Sequence, residues 1–468
     1  MFSDSFCMQG LGVMRCSRLS LVPGRQRRGR APVPEALEAR RLLSAGSLDP
    51  TFGAGGKAFS SFFTPDASAV EANGDIVVVG AKIGRNGVYD FAVARFKADG
   101  SVDNSFGSGG IAVTPIIING ALVDSFANGV NLLPGGKVLV TGQAGSLASE
   151  APVPVPDEFA AVRYNANGTV DSHFGFGGQA VTPDDTHATN GNGLAYTSGS
   201  AVLANGEIVI AGFVFGQGPG ESFPVLGVFT SSGAVDTKLA NAIDPGVIDV
   251  PDNKTEDISA IGVLPGNKIV LPGSAAESGN GSDGFGQDES IDVLDANGTL
   301  AYANDSAFIH PAIATEFPSA NAVGVAVLAN GSYFTAGEID QTSGMFVTLA
   351  KYTPGGKLDQ TFNGGTTTFG AGTVVTSING NDGAGAITVE PDGKILVAAY
   401  STPPHGTQEV YLLRYNANGS LDKTFGGKGE IATGMAGVTS ISALPDGKII
   451  IVGSAAGGKK IEMQRYAG

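Results

Sequence analysis

The side chains best suited to chemistry are carboxylates gathered in irregular stretches. Gly-Ser-Asp-Gly-Phe-Gly-Gln-Asp-Glu at 281–289 supplies Asp283, Asp288 and Glu289, Pro-Asp-Asp-Thr-His at 183–187 supplies Asp184, Asp185 and His187, and Asp157 and Glu158 form a third group. Hard oxygen donors at this density suit calcium, and a protein or a polysaccharide is the alternative ligand. Neither of the first two stretches follows the EF-hand spacing or a nonapeptide calcium repeat, so solvated surface loops are the plainer reading.

Signatures of dedicated catalysis are missing. The sequence has no GxSxG, no P-loop and no HExxH, and it lacks Trp altogether, which a quinone-binding protein of this type would normally repeat. Its four histidines, His173, His187, His310 and His405, are scattered, which speaks against zinc. Cys7 and Cys16 are the only cysteines, so neither a disulfide nor thiol chemistry is expected beyond residue 16. Paired carboxylates for hydrolysis of a polysaccharide leave no sequence signature when repeats diverge, so a hydrolase or lyase stays open as the alternative to a non-catalytic binding module.

A second set of polar residues recurs with the chain. FAVARFKADGSVDNSFGSGG at 91–110 returns at 159–178, 346–365 and 410–429, with weaker copies at 225–239 and 290–304. Six turn glycines mark the copies, Gly100, Gly168, Gly233, Gly298, Gly356 and Gly419, about one every 64 residues. The repeated acids are Asp49, Asp103, Asp171, Asp236, Asp359 and Asp422, and a structural role is expected, because Asp just after a turn glycine is placed to accept nearby backbone N–H groups. The repeated Phe52, Phe106, Phe174, Phe362 and Phe425 read as packing, and Arg163, Arg414 and Arg465, each followed by Tyr, as stems lying along sheet edges.

Each copy is preceded by a hairpin signature, seen seven times in forms such as VEANGDIVVVG from Val70 and SALPDGKIIIVG from Ser442. Two short apolar runs around Asn-Gly, Asp-Gly or Gly-Gly make tight turns that need positive φ. Each unit therefore reads as four strands. In the sixth these are AITVE, KILVAAY, VYLLRYN and a last strand near SLDKTFG.

Four-stranded units at this period predict an all-β fold, a single seven-bladed β-propeller over residues 46–468. The last unit stops at IEMQRYAG without its fourth strand, whereas SLDPTFGAGG at 47–56 has that strand's motif with no hairpin before it. Pairing of a strand at about 47–60 with the last unit is expected to close the ring and remove the free edges.

These motifs together, LDxSFG with a trailing Gly, DGKILVAG and the aromatic after Arg, resemble the delta-60 repeat, a bacterial β-propeller family found mostly in secreted or surface proteins and without an assigned activity. The resemblance covers nearly all of residues 46–468. It weakens in two copies, where Leu239 replaces the motif Phe and Ala301 stands where others have Asp. ALEARRLLSAG at 36–46 resembles the short N-terminal Leu-Glu-Pro-Arg…Leu-Leu-Ser motif of large bacterial surface proteins, with Ala39 in place of Pro, which implies secretion or display on the cell surface.

Composition bounds the rest. Of 468 residues, 71 are Gly and 24 Pro, too many for a helical bundle, and no apolar run is long enough for a membrane-spanning helix. Residues 1–45 hold eight Arg against three acids and read as a flexible basic leader, net +5; since the whole chain carries −16, the other 423 residues carry −21. So acidic a body, without clustered Lys or Arg, is not expected to bind nucleic acid. It is expected to act as a monomer without a cofactor, calcium aside. The hairpin turns vary little, whereas the loops opposite them vary greatly, so binding is expected on that variable face.

Overall fold

The computed structural model describes residues 44–85, 87–145, 158–183, 195–215, 222–237, 242–244, 246–250, 255–276, 287–295, 298–304, 320–341, 344–365, 371–455 and 460–468. The expected leader, residues 1–45, lies outside them but for its last two positions. Residues 43–468 cluster as one compact unit.

Seven antiparallel sheets follow one another along the chain as the blades of a β-propeller. Blade 1 is typical: its strands a to d are Thr64–Val70, Ile76–Ile83, Tyr89–Phe96 and Ile111–Thr114. The strand b run Ile76-Val77-Val78-Val79 is buried throughout because it faces two seams, with Ile76 and Val78 turned toward blade 7 and Val77 and Val79 toward blade 2. Seven buried apolar clusters correspond to the seven seams. That is why the repeat shows continuous apolar runs instead of alternation.

The hairpin motif's trailing glycine has a specific cause. In every blade the innermost strand a carries a one-residue irregularity, at Asp66, Asn128, Ser198, Glu256, Val323, Gly385 and Thr439. A bulge of this kind pushes the backbone of strand a toward strand b. Gly80, Gly142, Gly212, Gly273, Gly337 and Gly453 stand where an added methyl would overlap the strand a carbonyl. Blade 6 alone has Ala399 there, opposite Ala384 in an inner strand that itself carries Gly383 and Gly385.

Strand d corrects the sequence reading. In blade 6 it is Glu430–Ala432, beyond SLDKTFG, which instead forms the loop leading to it. The displacement follows from glycines at positive φ, Gly426, Gly427 and Gly429, which turn the chain back before the strand can start. The blades with weak motifs are irregular, and blade 2 adds the strand Ile116–Ile118. Blade 3 adds a strand, Ala242–Asp244, and blade 4 splits its inner strand into Thr255–Ile258 and Gly262–Leu264.

The ring closes as expected. Lys57–Ser60 pairs antiparallel with the last strand, Lys57 opposite Gln464 and Ser60 opposite Ile461, and Leu48 bridges Tyr466. A chain beginning at Ser61 would lack this strand and the Phe52 and Ala58 it buries. Compared with a chain beginning at Ser44, it should melt at lower temperature or aggregate; equal melting temperatures would show that closure contributes nothing.

In blades 1, 2 and 7 the repeated acid holds an arginine that reaches the next blade. Asp103 accepts from the amide and hydroxyl of Ser105 at 3.0 and 2.7 Å and pairs with Arg95 at 2.7 Å. Arg95 lies over the Phe106 ring at 4.8 Å and donates to the carbonyl of Ala166 in blade 2 at 2.7 Å, while Gly107 N donates to Asn167 O. Blade 2 repeats the arrangement toward blade 3 with Asp171, Arg163, Phe174 and the Ser231 carbonyl. Blade 7 does so across the closure: Arg465 on the last strand pairs with Asp49 at 2.9 Å, covers Phe52 and donates to Ala98 O. The stems of Arg163, Arg414 and Arg465 were expected along sheet edges; the heads are held by an acid eight residues away or, in blade 7, at the other end of the chain. In blades 3 and 4 the same register position holds Val228 and Val293.

Burial alone would raise these acids, yet each is held down by its partners. Asp422 is brought to about 2 by the hydroxyl and amide of Thr424 and by Arg414 and Lys394. Its stabilising contribution is therefore complete above the ordinary 3.8 and is lost as pH falls through about 2. Asp422→Asn should cost about 1–3 kcal/mol at pH 7, as for a hydrogen bond to a charged group, and far less near pH 2. Equal losses at both pH values, measured by thermal melting, would remove the ionic contribution.

Candidate binding face

The two ends of the propeller differ in what their side chains are free to do. At one end lie the strand a to b turns and the loops between strands c and d. There Arg95, Arg163, Lys351, Arg414 and Arg465 are all paired with the repeated acids. That end is committed to holding blades together. At the other end lie the b to c and d to a connections, which run from two residues between Gln341 and Gly344 to fifteen between Asn304 and Ala320.

Several of the sequence-selected carboxylates belong to this second end. Asp157, Asp184, Asp185, His187 and Asp283 lie outside the described residues. Glu158 opens strand c of blade 2, where it is buried and accepts from Thr182 Oγ1 at 2.8 Å, while Phe159 N donates to the same hydroxyl. Asp288 lies in strand c of blade 4 opposite Ala275. Glu289, the next residue, is buried in the seam between blades 4 and 5 and accepts from Thr335 Oγ1 at 2.7 Å and from the Tyr352 hydroxyl at 3.4 Å. Glu158 and Glu289 thus stand on strands and not on loop crests.

Tyr352 shows why Glu289 is unusual. Tyrosines at the same place in blades 2 and 6, Tyr164 and Tyr415, reach a threonine on strand d of the preceding blade, Thr114 and Thr376. Tyr352 meets a carboxyl instead. Burial pushes Glu289 up to about 7, against which the two hydrogen bonds act only partly.

Further carboxylates were missed by motif reading because they belong to no repeat. Asp66 occupies the bulge in the innermost strand of blade 1, exposed to water yet walled in by protein, and that enclosure raises it to about 6. Asp90, at the start of strand c of blade 1, is buried, has Oδ1 without a hydrogen-bond partner, and is raised by burial and then by Asp124. Glu338, in blade 5, is raised by burial and by Asp340. The one signal available was position: each lies at the loop-bearing end of its strand.

The bulge residues give the inner wall a polar character, with Thr197 Oγ1 donating to Asn128 Oδ1 at 2.6 Å and Thr197 N to Gln143 Oε1 at 3.1 Å. Among the described residues no group of three or more His, Cys, Asp or Glu is arranged to hold a metal ion, and no helix is long and apolar enough to cross a membrane.

Two segments, residues 71–106 and 390–425, match the model of a β-propeller domain of unknown function, DUF5122. Both run from the a to b turn to the motif Phe and so contain the arginine, acid and phenylalanine that meet as Arg95, Asp103 and Phe106 or as Arg414, Asp422 and Phe425. No curated protein matches. Similar solved structures include a protein of unknown function from Dyadobacter fermentans, 13% identical with a TM-score of 0.43, covering 77% of this chain and 98% of that one. They also include an α-L-arabinofuranosidase, Arb93A, from Fusarium graminearum, at 13% and 0.42, covering 72% and 91%. A third is the propeller domain of the trilobed protease from Pyrococcus furiosus, at 12% and 0.43, covering 88% and 95%. Likenesses this distant transfer no activity.

Glu289 yields a signed prediction. Its folded value, about 7, lies above its ordinary 4.5, so the stability tied to its protonated form is fully present below pH 4.5 and is lost as pH rises through 7. The melting temperature of the native chain should decline across that window. Glu289→Gln should flatten the decline and raise stability at pH 8 by about 3 kcal/mol, the equivalent of the shift. An unchanged profile would place the decline elsewhere.

Proposed function

We propose that this ring is a non-catalytic interaction module of the delta-60 type, secreted or displayed on the cell surface, that binds a protein, a polysaccharide or a cation through its variable-loop face and works as a monomer. The observation that carries this reading is the division of labour between the two ends. At the tight-turn end five strand c bases are held by the repeated acids, and three of them reach the next blade, while the opposite end presents uneven loops around carboxylates such as Asp66 that make no ion pair among the described residues. Irregular loops on a rigid frame are where binding residues collect. Asp157, Glu158, Asp184, Asp185, His187, Asp283, Asp288 and Glu289 remain the proposed contributors, with calcium as the proposed ion; the buried Glu158 and Glu289 would act from behind the loops.

Asp66 favours one competing reading. A carboxyl raised toward 6 beside the axis has the protonation range of a general acid, as a propeller hydrolase or lyase would need. The two readings separate in one experiment. Glycan and protein arrays, with and without calcium, are probed with the native chain, with a variant shortened in 146–157 and 277–286, and with Asp66→Asn. The module reading expects binding that is lost on shortening and no glycan turnover. Turnover abolished by Asp66→Asn, or binding that survives shortening, would overturn it.

A further inference from the structure

Six of the nine large apolar side chains exposed among the described residues share one side of the ring; Phe59, Val113 and Phe176 lie elsewhere. Ile83, Tyr89, Ile117, Leu122, Tyr196 and Phe223 are each between 39% and 59% exposed and belong to the loop-bearing side of blades 1 to 3. Contacts link some of them, and the rest follow along the same side in an arc. Ile83 and Tyr89 face each other across strands b and c of blade 1, and Ile117 and Leu122 across the hairpin that leads into blade 2. The Tyr89 ring lies 5.1 Å from Phe126 of blade 2, whose cross-strand partner Gln143 accepts from Thr197 N of blade 3. Tyr196, beside Thr197, stacks on Phe213 at 5.5 Å and 12°, and Phe213 lies opposite Pro224, the neighbour of Phe223. A run of exposed apolar groups across three blades marks an interaction surface.

Its chemistry is mixed in a particular way. Flat rings alternate with half-buried oxygen acceptors, Asp124, whose Oδ1 takes Tyr89 N at 2.8 Å, and Asn128, whose Oδ1 takes Thr197 Oγ1. A protein interface would have a core depleted in charged groups. A sugar chain suits the mixture better, because each ring has an apolar C–H face to lay on an aromatic and hydroxyls at its rim to donate to carboxylate or amide oxygens. Charge selects further. With −16 overall, the protein would repel a polyanionic chain, and Arg85 is the one basic side chain in the turn between Ile83 and Tyr89 among the described residues.

We propose that the arc from Tyr89 to Phe223 is a binding surface for a neutral polysaccharide. This rests on the reading that the variable-loop face is the binding face, and it names the ligand class for the part of that face on blades 1 to 3. The rings act as platforms and the intervening acceptors set orientation.

Affinity electrophoresis of the full chain tests this, in gels containing xylan, arabinan, mannan or mixed-linkage glucan, with polygalacturonate as the acidic comparison. Tyr196→Ala, Phe223→Ala and the double variant remove exposed rings, and melting temperatures confirm that each remains folded. At least one neutral polymer should retard the native chain, and each single substitution should weaken that retardation about tenfold, the loss of one good contact. Polygalacturonate should not retard it. No retardation by any neutral polymer, retardation that survives the double substitution, or preference for polygalacturonate would overturn the proposal. If a protein ligand is captured through the loops while every neutral polymer fails, the polysaccharide assignment falls and the binding-face reading stands.

Discussion

The propeller depends on one carboxylate placed repeatedly at the same point of its blades. Asp49, Asp103, Asp171 and Asp422 are buried at the turn between strands c and d. With one oxygen each shapes its own loop, and with the other it holds a basic side chain; Arg95, Arg163 and Arg465 extend from it to a backbone carbonyl in the following blade. A blade alone is a small sheet with two apolar faces and could not stand in water. The acid makes the apolar faces meet in register: its loop puts the motif Phe beneath the next blade's turn, where Gly100 and Gly168 leave room for Phe52 and Phe106. Ring closure is the same interaction made between residues 416 positions apart, Asp49 and Arg465.

Because that interaction is local in sequence everywhere but at the closure, most of the architecture could be read without coordinates. Positive φ at turn glycines such as Gly100 and Gly419 is chemistry that a sequence displays directly. The same is true of the buried strands. What was misplaced was strand d, since the motif residues between Leu421 and Gly429 look like a strand flanked by glycines until Asp422 is seen to cap them into a loop. The arginine's partner was legible in principle: Arg95 and Asp103, Arg163 and Asp171, and Arg414 and Asp422 keep one spacing, and where the base gives way to Val228 and Val293 the motif itself weakens.

The binding face was less legible for a physical reason. Repetition exposes residues that every blade needs, and function on a ring belongs to residues that only one or two blades carry. Tyr89, Asp90 and Asp124 owe their proximity to a hairpin between blades 1 and 2 whose strand Ile116–Ile118 has no counterpart between other blades among the described residues. Glu289 looked like one more loop acid in its sequence. Only the seam with blade 5, where Tyr352 and Thr335 approach, shows it to be a buried proton-binding group.

Electrostatics then separates the two ends more sharply than loop length does. Acids held below their ordinary range, Asp49, Asp103, Asp171, Asp359 and Asp422, all belong to the tight-turn end, where partners outweigh burial. Acids raised above it include Asp66, Asp90, Glu289 and Glu338, all toward the loops, where enclosure is not matched by a cation. Glu71 and Glu390 are raised at the tight-turn end, and they prove the rule by their setting: each shares one arginine with the repeated acid, Arg95 with Asp103 and Arg414 with Asp422, which takes the shorter contact. A ring built this way concentrates its stabilising ion pairs at one end and leaves acceptors lacking a positive partner at the other. Such acceptors gain most from a ligand that brings donors, whether hydroxyls or a cation, which is the physical sense in which the loop-bearing end is ready to bind.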